Sequence, residues 1–266
     1  MGSIELDQPV PETYLPQNID VLIVGTGLAG LTAALECHRK GMNVRIMERN
    51  STINTAGTEN SLQILLGWRL RSIPGDMFFM GLSATRWFKH WPEMQREYDR
   101  ISLHNAWIET FKHSGEVMVK PMKVADRLRA TGLNPKTPPG TFQMRPLIYK
   151  MFADQVESIG IKVEYNMRVV DYYEDAATGR GGVILEDGSK YEADVVIAAD
   201  GVGSKSQALV GGQVRAISSG RAMWRAAFPI EYLDSNPELK EAFSMVNGED
   251  PIVRTYLGYV SPLIFG

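Results

Sequence analysis

The sequence predicts an α/β chain: a Rossmann-like domain that opens with a βαβ unit and runs on through a β-meander, followed by the beginning of a second sheet. Three stretches carry this reading. Residues 20–49, DVLIVGTGLAGLTAALECHRKGMNVRIMER, give a short apolar β-rich run, a glycine turn, a helix-period segment and a second β-rich run that ends on an acid. Residues 169–188 hold two short strand-like runs, VVDYYED and GGVILEDG, the second closed by a glycine turn. Residues 193–201, ADVVIAADG, are apolar almost throughout and read as a buried strand.

The elements follow in order. Residues 1–18, MGSIELDQPVPETYLPQN, are acidic and proline-bearing, with no basic n-region and no apolar h-region, and read as an N-terminal arm rather than a secretory leader. Val21 to Val24 form the first strand. A helix from Leu28 to Arg39 stops near Gly41, a natural C-terminal cap, and NVRIMER is the second strand. Between Ser51 and Pro139, SATRWFKHWPEMQREY reads as a helix interrupted by Pro92. AWIETFKHSGEVMVK reads as a hairpin turning at Ser114 and Gly115, and ATGLNPKTPPG as a loop. From Arg145, RPLIYKMFADQVESIG is a helix that leads into a short strand, IKVEYN.

Composition removes several functional classes. A formal net charge of -3 and a pI near 5.9 supply no broad cationic field, which argues against nucleic acid as a partner. No apolar run approaches the length of a membrane span, because the most hydrophobic stretch is broken by Gly25, Gly27 and Gly30. A lone cysteine, Cys37, excludes an internal disulfide framework and fits a reducing, cytoplasmic compartment. His90, His104 and His113 lack metal spacing, and Ser204 lacks the context of a hydrolase nucleophile, so neither a metal site nor hydrolysis is expected. Trp87, Phe88 and Trp91 sit at helical spacing and read as core.

The glycines of GTGLAG have separate tasks. Gly25 permits the tight turn, Gly27 lets a pyrophosphate approach the backbone, and Gly30 allows helix and strand to touch. The helix start offers free N–H groups and positive dipole to the phosphates. Glu48, 23 residues after Gly25 at the end of the second strand and followed by Arg49, can accept from both hydroxyls of a ribose. Its charge opposes a 2'-phosphate, so NADP is disfavoured in this pocket, while NAD and FAD both fit.

The later motifs separate those two. ADVVIAADGVGSKSQ ends a strand on Asp200 and Gly201 and turns at Ser204, and MRPLIYKMF places Arg145 at a helix start. With the N-terminal fingerprint, this order of motifs resembles the flavoprotein aromatic monooxygenases, the family of para-hydroxybenzoate hydroxylase and salicylate hydroxylase, in its fungal form. The resemblance implies FAD as the bound cofactor and NADH or NADPH as the electron donor. It implies oxygenation of an aromatic or polyketide-like small molecule by molecular oxygen through a flavin hydroperoxide. Glu48 would then bind the adenosine ribose, Arg145 the phosphates and ribityl chain, and Asp200 with Gly201 the flavin and nicotinamide. Gly75, with Asp76, falls in the loop feeding FFMGLSATR, where relatives place small residues beside the flavin. GRAMWRAAFP resembles the strand opening the family's substrate domain, and Arg225 on it matches an arginine that orients a phenolate; a plain surface arginine is the competing reading. Tyr256 and Tyr259 are weaker candidates.

The resemblance also sets domain expectations: an FAD-binding domain over 19–215, with 68–140 contributing partly to the substrate side, and an incomplete substrate sheet over 216–266. Gln207 stands where the family has a basic residue. The family's third motif, a strand followed by Gly-Asp-Ala-Ala-His and a proline, has no match. The expectation is therefore of a chain lacking the family's C-terminal region, with that region or a second chain as a partner. Alone, it should hold ADP-like ligands better than FAD. The alternative reading is an inactive fragment or paralogue with a binding role.

Overall fold

The computed structural model describes residues 14–52, 77–104, 106–130, 141–211, 217–218, 235–242 and 252–257. In chain order these give β1 (Asp20–Val24), α1 (Leu28–Arg39), β2 (Asn43–Met47) and β3 (Met77–Met80). A one-turn helix, Leu82–Thr85, continues as a 3-10 turn, Arg86–His90, before α2 (Pro92–Ile101), β4 (Trp107–Lys112), β5 (Val117–Lys123) and α3 (Val124–Ala130). Then come β6 (Thr141–Met144), α4 (Arg145–Ser158), β7 (Val163–Glu164), β8 (Val169–Asp175), β9 (Arg180–Leu185) and β10 (Lys190–Ala193). The last are β11 (Val195–Ala198), a 3-10 turn at Lys205–Ala208, α5 (Pro237–Ala242) and β12 (Ile252–Leu257). The chain forms two compact units, Met1–Asn54 with Tyr149–Arg215, and Thr55–Ile148 with Ala216–Gly266.

The first unit is built on a parallel sheet in the order β11-β1-β2-β7. Val21, Leu22, Ile23 and Val24 are all buried, so β1 is covered on both faces, which is why the run carries no polar alternation. α1 buries Leu31, Ala34 and Leu35 at the i, i+3, i+4 spacing of one helix face. It ends at Gly41, whose φ of +78° favours glycine. A β-carbon there would also meet the Leu15 carbonyl oxygen at 2.1 Å, because the end of the N-terminal arm is strapped to the helix end. Tyr14 N donates to Arg39 O and Gln17 N to Gly41 O, each at 2.8 Å.

The meander β8-β9-β10 is antiparallel and closes a core with the parallel sheet: Tyr172, Val183, Leu185 and Ala193 pack with Leu22, Val24 and Met47. The chain then returns through β11, which pairs in parallel with β1 from Val21↔Val195 to Val24↔Ala198. Three elements differ from expectation. β11 is not buried: among the described residues it is the edge strand of the sheet, paired on one side only, with Val195 and Ala198 exposed. β7 has two residues rather than the six of IKVEYN, because Asn166 adopts φ 58° and turns the chain back toward β2. There Asn166 N donates to Asn50 O and Met167 N to Glu48 O. β10, KYEA, is a strand that its polar sequence does not announce; it follows from antiparallel pairing with β9 across a tight turn at Gly188, φ +83°.

In the second unit β12 lies parallel to β4, and β4 is antiparallel to β5 in the hairpin expected at Ser114 and Gly115. The turn needs glycine at 115, φ +87°, and Gly115 N donates to Lys112 O. β3 pairs with β6 and takes in FFM of FFMGLSATR. Pro92 sits at the first position of α2, where its missing N–H costs nothing, and starts that helix instead of kinking a longer one. Phe88, Trp91, Met94 and Tyr98 are buried, with the Phe88 and Tyr98 rings 4.8 Å apart, so Phe88 and Trp91 lie in the core as expected, whereas Trp87 is only half-buried. Arg254 of β12 donates to Glu109 of β4 at 3.0 Å.

A test of the fold contrasts two glycines three residues apart. A β-carbon on Gly30 would stand 2.0 Å from the Gly25 carbonyl oxygen, whereas one on Gly27, φ −63°, meets nothing within 4 Å. In urea unfolding, Gly30→Ala should lose about 2–4 kcal/mol and Gly27→Ala less than about 1 kcal/mol. Equal losses would show that the turn is not packed as described.

Candidate dinucleotide-binding site

The site starts at the crossing from β1 to α1. Gly25 N donates to Met47 O at 2.8 Å, and a φ of +99° takes the backbone through a turn that other residues resist. A β-carbon at Gly25 would stand 2.7 Å from the Ala199 carbonyl oxygen and 3.1 Å from the Asp200 α-carbon, so the turn runs hard against the end of β11. The structure thus brings Asp200 beside the glycine fingerprint, from 175 positions away in sequence. Gly27, by contrast, faces open space. The first helical bond is Leu31 N to Gly27 O, which leaves the N–H groups of Leu28, Ala29 and Gly30 with no acceptor inside the helix. No acid occupies this first turn. These N–H groups, unpaired within the helix, and the helix dipole favour an anion at this helix start.

Glu48, 6% exposed, ends β2 at the edge of this turn. A buried carboxylate has to be hydrogen-bonded, and its partners are close by. Its Oε2 accepts from Thr26 N at 3.0 Å and Thr26 Oγ1 at 2.7 Å. Its Oε1 accepts from Asn50 N at 2.9 Å and Asn50 Nδ2 at 2.7 Å. Behind Thr26, the Tyr149 hydroxyl donates to Thr26 Oγ1 at a long 3.5 Å. Burial first, and then the Glu48 charge, hold Tyr149 above the usual tyrosine range, against the lowering effect of the Thr26 bond. Thr26, Asn50 and Tyr149 were not marked by the sequence. Thr26 is one of the variable positions of the fingerprint, and Tyr149 reaches it from α4, 123 positions on.

On the β11 side, Asp200 Oδ1 and the Tyr172 hydroxyl are buried and make no hydrogen bond among the described residues. Burial, followed by the nearby Asp200 charge, pushes the Tyr172 hydroxyl well above its ordinary value. A buried acceptor without a donor is costly, and a ligand hydroxyl or amide can satisfy it. Gly201 follows with φ +91° in an exposed turn, and Ser204 Oγ accepts from Ser206 N to cap the short 3-10 turn.

Gly25, Gly27, Gly30, Glu48, Asp200 and Gly201 all belong to the first unit. Arg49 is exposed beside Glu48, and Arg145 is exposed as the first residue of α4. Gly75 and Arg225 lie outside the described residues, as does Tyr259; Tyr256 falls on β12. Among the described residues no three His, Cys, Asp or Glu side chains gather as a metal site would require, and no helix is long and apolar enough to cross a membrane.

The glycine turn, the buried acid at the end of β2 and the returning Asp-Gly strand lie within a longer match. The FAD dependent oxidoreductase family model matches residues 20–230. The chain belongs to this family. An FAD-dependent monooxygenase of Gibberella fujikuroi is 32% identical over 253 residues, covering 92% of this chain and 44% of that protein. Another, from a Cryptosporiopsis species, is 37% identical over 232 residues, covering 85% of this chain and 41% of that protein. The chain therefore spans less than half the length of these curated relatives. The crystal structure of CtdE in complex with FAD and substrate superposes with a TM-score of 0.70 at 26% identity, covering 91% of this chain and 52% of that one. The similarity to fungal FAD-dependent monooxygenases agrees with the resemblance read from the motifs.

Two substitutions test the site. Gly27→Val should weaken ADP binding by about tenfold or more by filling the open face, with little loss of folding stability. Glu48→Ala should weaken ADP binding and also destabilise the fold by about 1–3 kcal/mol, because the Thr26 and Asn50 donors lose their acceptor. Calorimetric titration beside urea unfolding reads both. Unchanged ADP affinity in both variants would remove the site.

Proposed function

We propose that this chain binds FAD, with the adenosine end at Glu48 and the pyrophosphate on the Gly25 to Gly30 turn, and that the whole protein is an NADH- or NADPH-dependent monooxygenase. The observation that carries the reading is the pairing of a buried, fully hydrogen-bonded acid with an open glycine face, in a chain of the FAD dependent oxidoreductase family. The names of the fungal relatives support the oxygenase activity. When bound, FAD supplies two-electron exchange with the nicotinamide and activation of molecular oxygen.

The chain's own residues bind and orient. The N–H groups at the start of α1 take the pyrophosphate, and Glu48 accepts from the ribose hydroxyls. Asp200, whose buried Oδ1 makes no hydrogen bond among the described residues, accepts from the flavin side of the cofactor, with Gly201 leaving the backbone open beside it. Arg145 offers charge to the phosphates and ribityl chain, while Arg49 and Gly75 complete the cofactor contacts. Arg225 holds the oxygen of a phenolic or polyketide-like substrate as its anion, which keeps electron density on the ring where an electrophilic oxygen is to be accepted. The cytoplasm suits a protein that draws on reduced nicotinamide and holds one free thiol.

FAD titrated into the protein should bind saturably, and ADP should compete for the same site. In the oxygenating form of the protein, Arg225→Lys should lower substrate-stimulated NAD(P)H oxidation by about tenfold or more while FAD affinity stays within about twofold, because lysine keeps the charge and loses the planar fork. FAD binding that ADP does not displace would contradict the cofactor reading. Parallel loss of FAD affinity and oxidation in Arg225→Lys would make Arg225 structural.

A further inference from the structure

The Glu48 carboxylate is already saturated. A carboxylate offers about four lone-pair positions, and here four donors fill them, two from Thr26 on Oε2 and two from Asn50 on Oε1. A ribose diol brings further donors to the same acid, so a donor now in place has to leave. The four are not equally free to do so. Thr26 N and Asn50 N are fixed by the backbone just past the ends of β1 and β2. Thr26 is 3% exposed, and its hydroxyl also receives the Tyr149 bond, so moving it would leave two buried hydroxyls without partners. Burial keeps Tyr149 above its ordinary value and so a donor toward Thr26. The Asn50 side chain is half-buried and follows the end of β2, and its amide can turn to water without that cost.

We infer that Thr26, backed by Tyr149, locks one oxygen of Glu48, and that the Asn50 amide is a placeholder on the other, leaving Oε1 when a ribose hydroxyl arrives. Oε1 is then the atom that reads the ribose, and Thr26 and Asn50 are positioning residues. The inference rests on the reading that Glu48 faces an adenosine ribose, and it adds which oxygen does so and what it exchanges.

Calorimetric titration of the full chain with ADP and with 2'-deoxy-ADP tests this. Asn50→Ala should bind ADP about fivefold more tightly than the wild type, the worth of one net hydrogen bond no longer displaced. Thr26→Val should weaken ADP by about tenfold and erase its preference over 2'-deoxy-ADP, and Thr26→Ser should restore both. Unchanged or weaker ADP binding in Asn50→Ala overturns the placeholder, and a preference retained in Thr26→Val overturns the lock. If Thr26→Val does not fold, Asn50→Ala decides alone. Glu48→Ala separates the levels: unchanged ADP affinity there sinks the ribose reading itself, whereas weakened ADP binding there, with no gain in Asn50→Ala, sinks the exchange alone.

Discussion

Burying a carboxylate costs several kcal/mol unless donors surround it, and much of the first unit is arranged to supply donors to Glu48. The acid stands at the end of β2 with Thr26 on one side and Asn50 on the other. Its backbone is held as well, since Glu48 N donates to Glu164 O and Glu48 O accepts from Met167 N. The glycine turn, the end of β2 and the chain beyond β7 thus meet at one residue. Removing the carboxylate would leave the Thr26 and Asn50 donors without their acceptor while the backbone bonds remain, so the acid ties the glycine turn to the end of β2. The turn itself cannot drift, because Gly25 and Gly30 touch backbone at distances that admit no side chain.

The same packing explains how a site forms from distant segments. β11 enters the sheet beside β1 only after the whole meander has been laid down, and its end carries Asp200 to the Gly25 turn. The Tyr172, Val183 and Leu185 core under the meander fixes where β11 can return. Tyr172 therefore has two roles, an apolar ring in that core and a hydroxyl next to the Asp200 charge. A ligand that donates to Asp200 would relieve an acceptor which the folded chain leaves unsatisfied among its described residues.

What was legible in the sequence is what backbone sterics and periodicity dictate locally. GTGLAG shows its turn because Gly25 and Gly30 stand where a side chain would meet backbone, α1 shows its face through Leu31, Ala34 and Leu35, and the hairpin at Gly115 shows its turn residue. β10 was hidden because KYEA borrows its strand character from β9, and β7 is short because Asn166 takes a left-handed conformation that asparagine only permits. The parallel pairing of β12 with β4, tied by Arg254 and Glu109, joins segments 145 positions apart with no local mark. The acid at 48 was readable from its spacing. Its partners were not, because Tyr149 arrives from a distant helix and because a threonine inside the fingerprint has no necessary role.

The central claim is that Glu48 selects an adenosine ribose with free hydroxyls, as FAD carries. The affinity of the chain for AMP against adenosine 2',5'-bisphosphate, which differ only at the 2' position, measures this most directly. The bisphosphate sets a doubly charged group against the buried acid, although exposed Arg49 stands next to it. With Glu48 dominant, AMP binds at least about tenfold more tightly than the bisphosphate at low ionic strength. Equal affinity, or tighter binding of the bisphosphate, would contradict the account and place the reading of the 2' position with Arg49 instead.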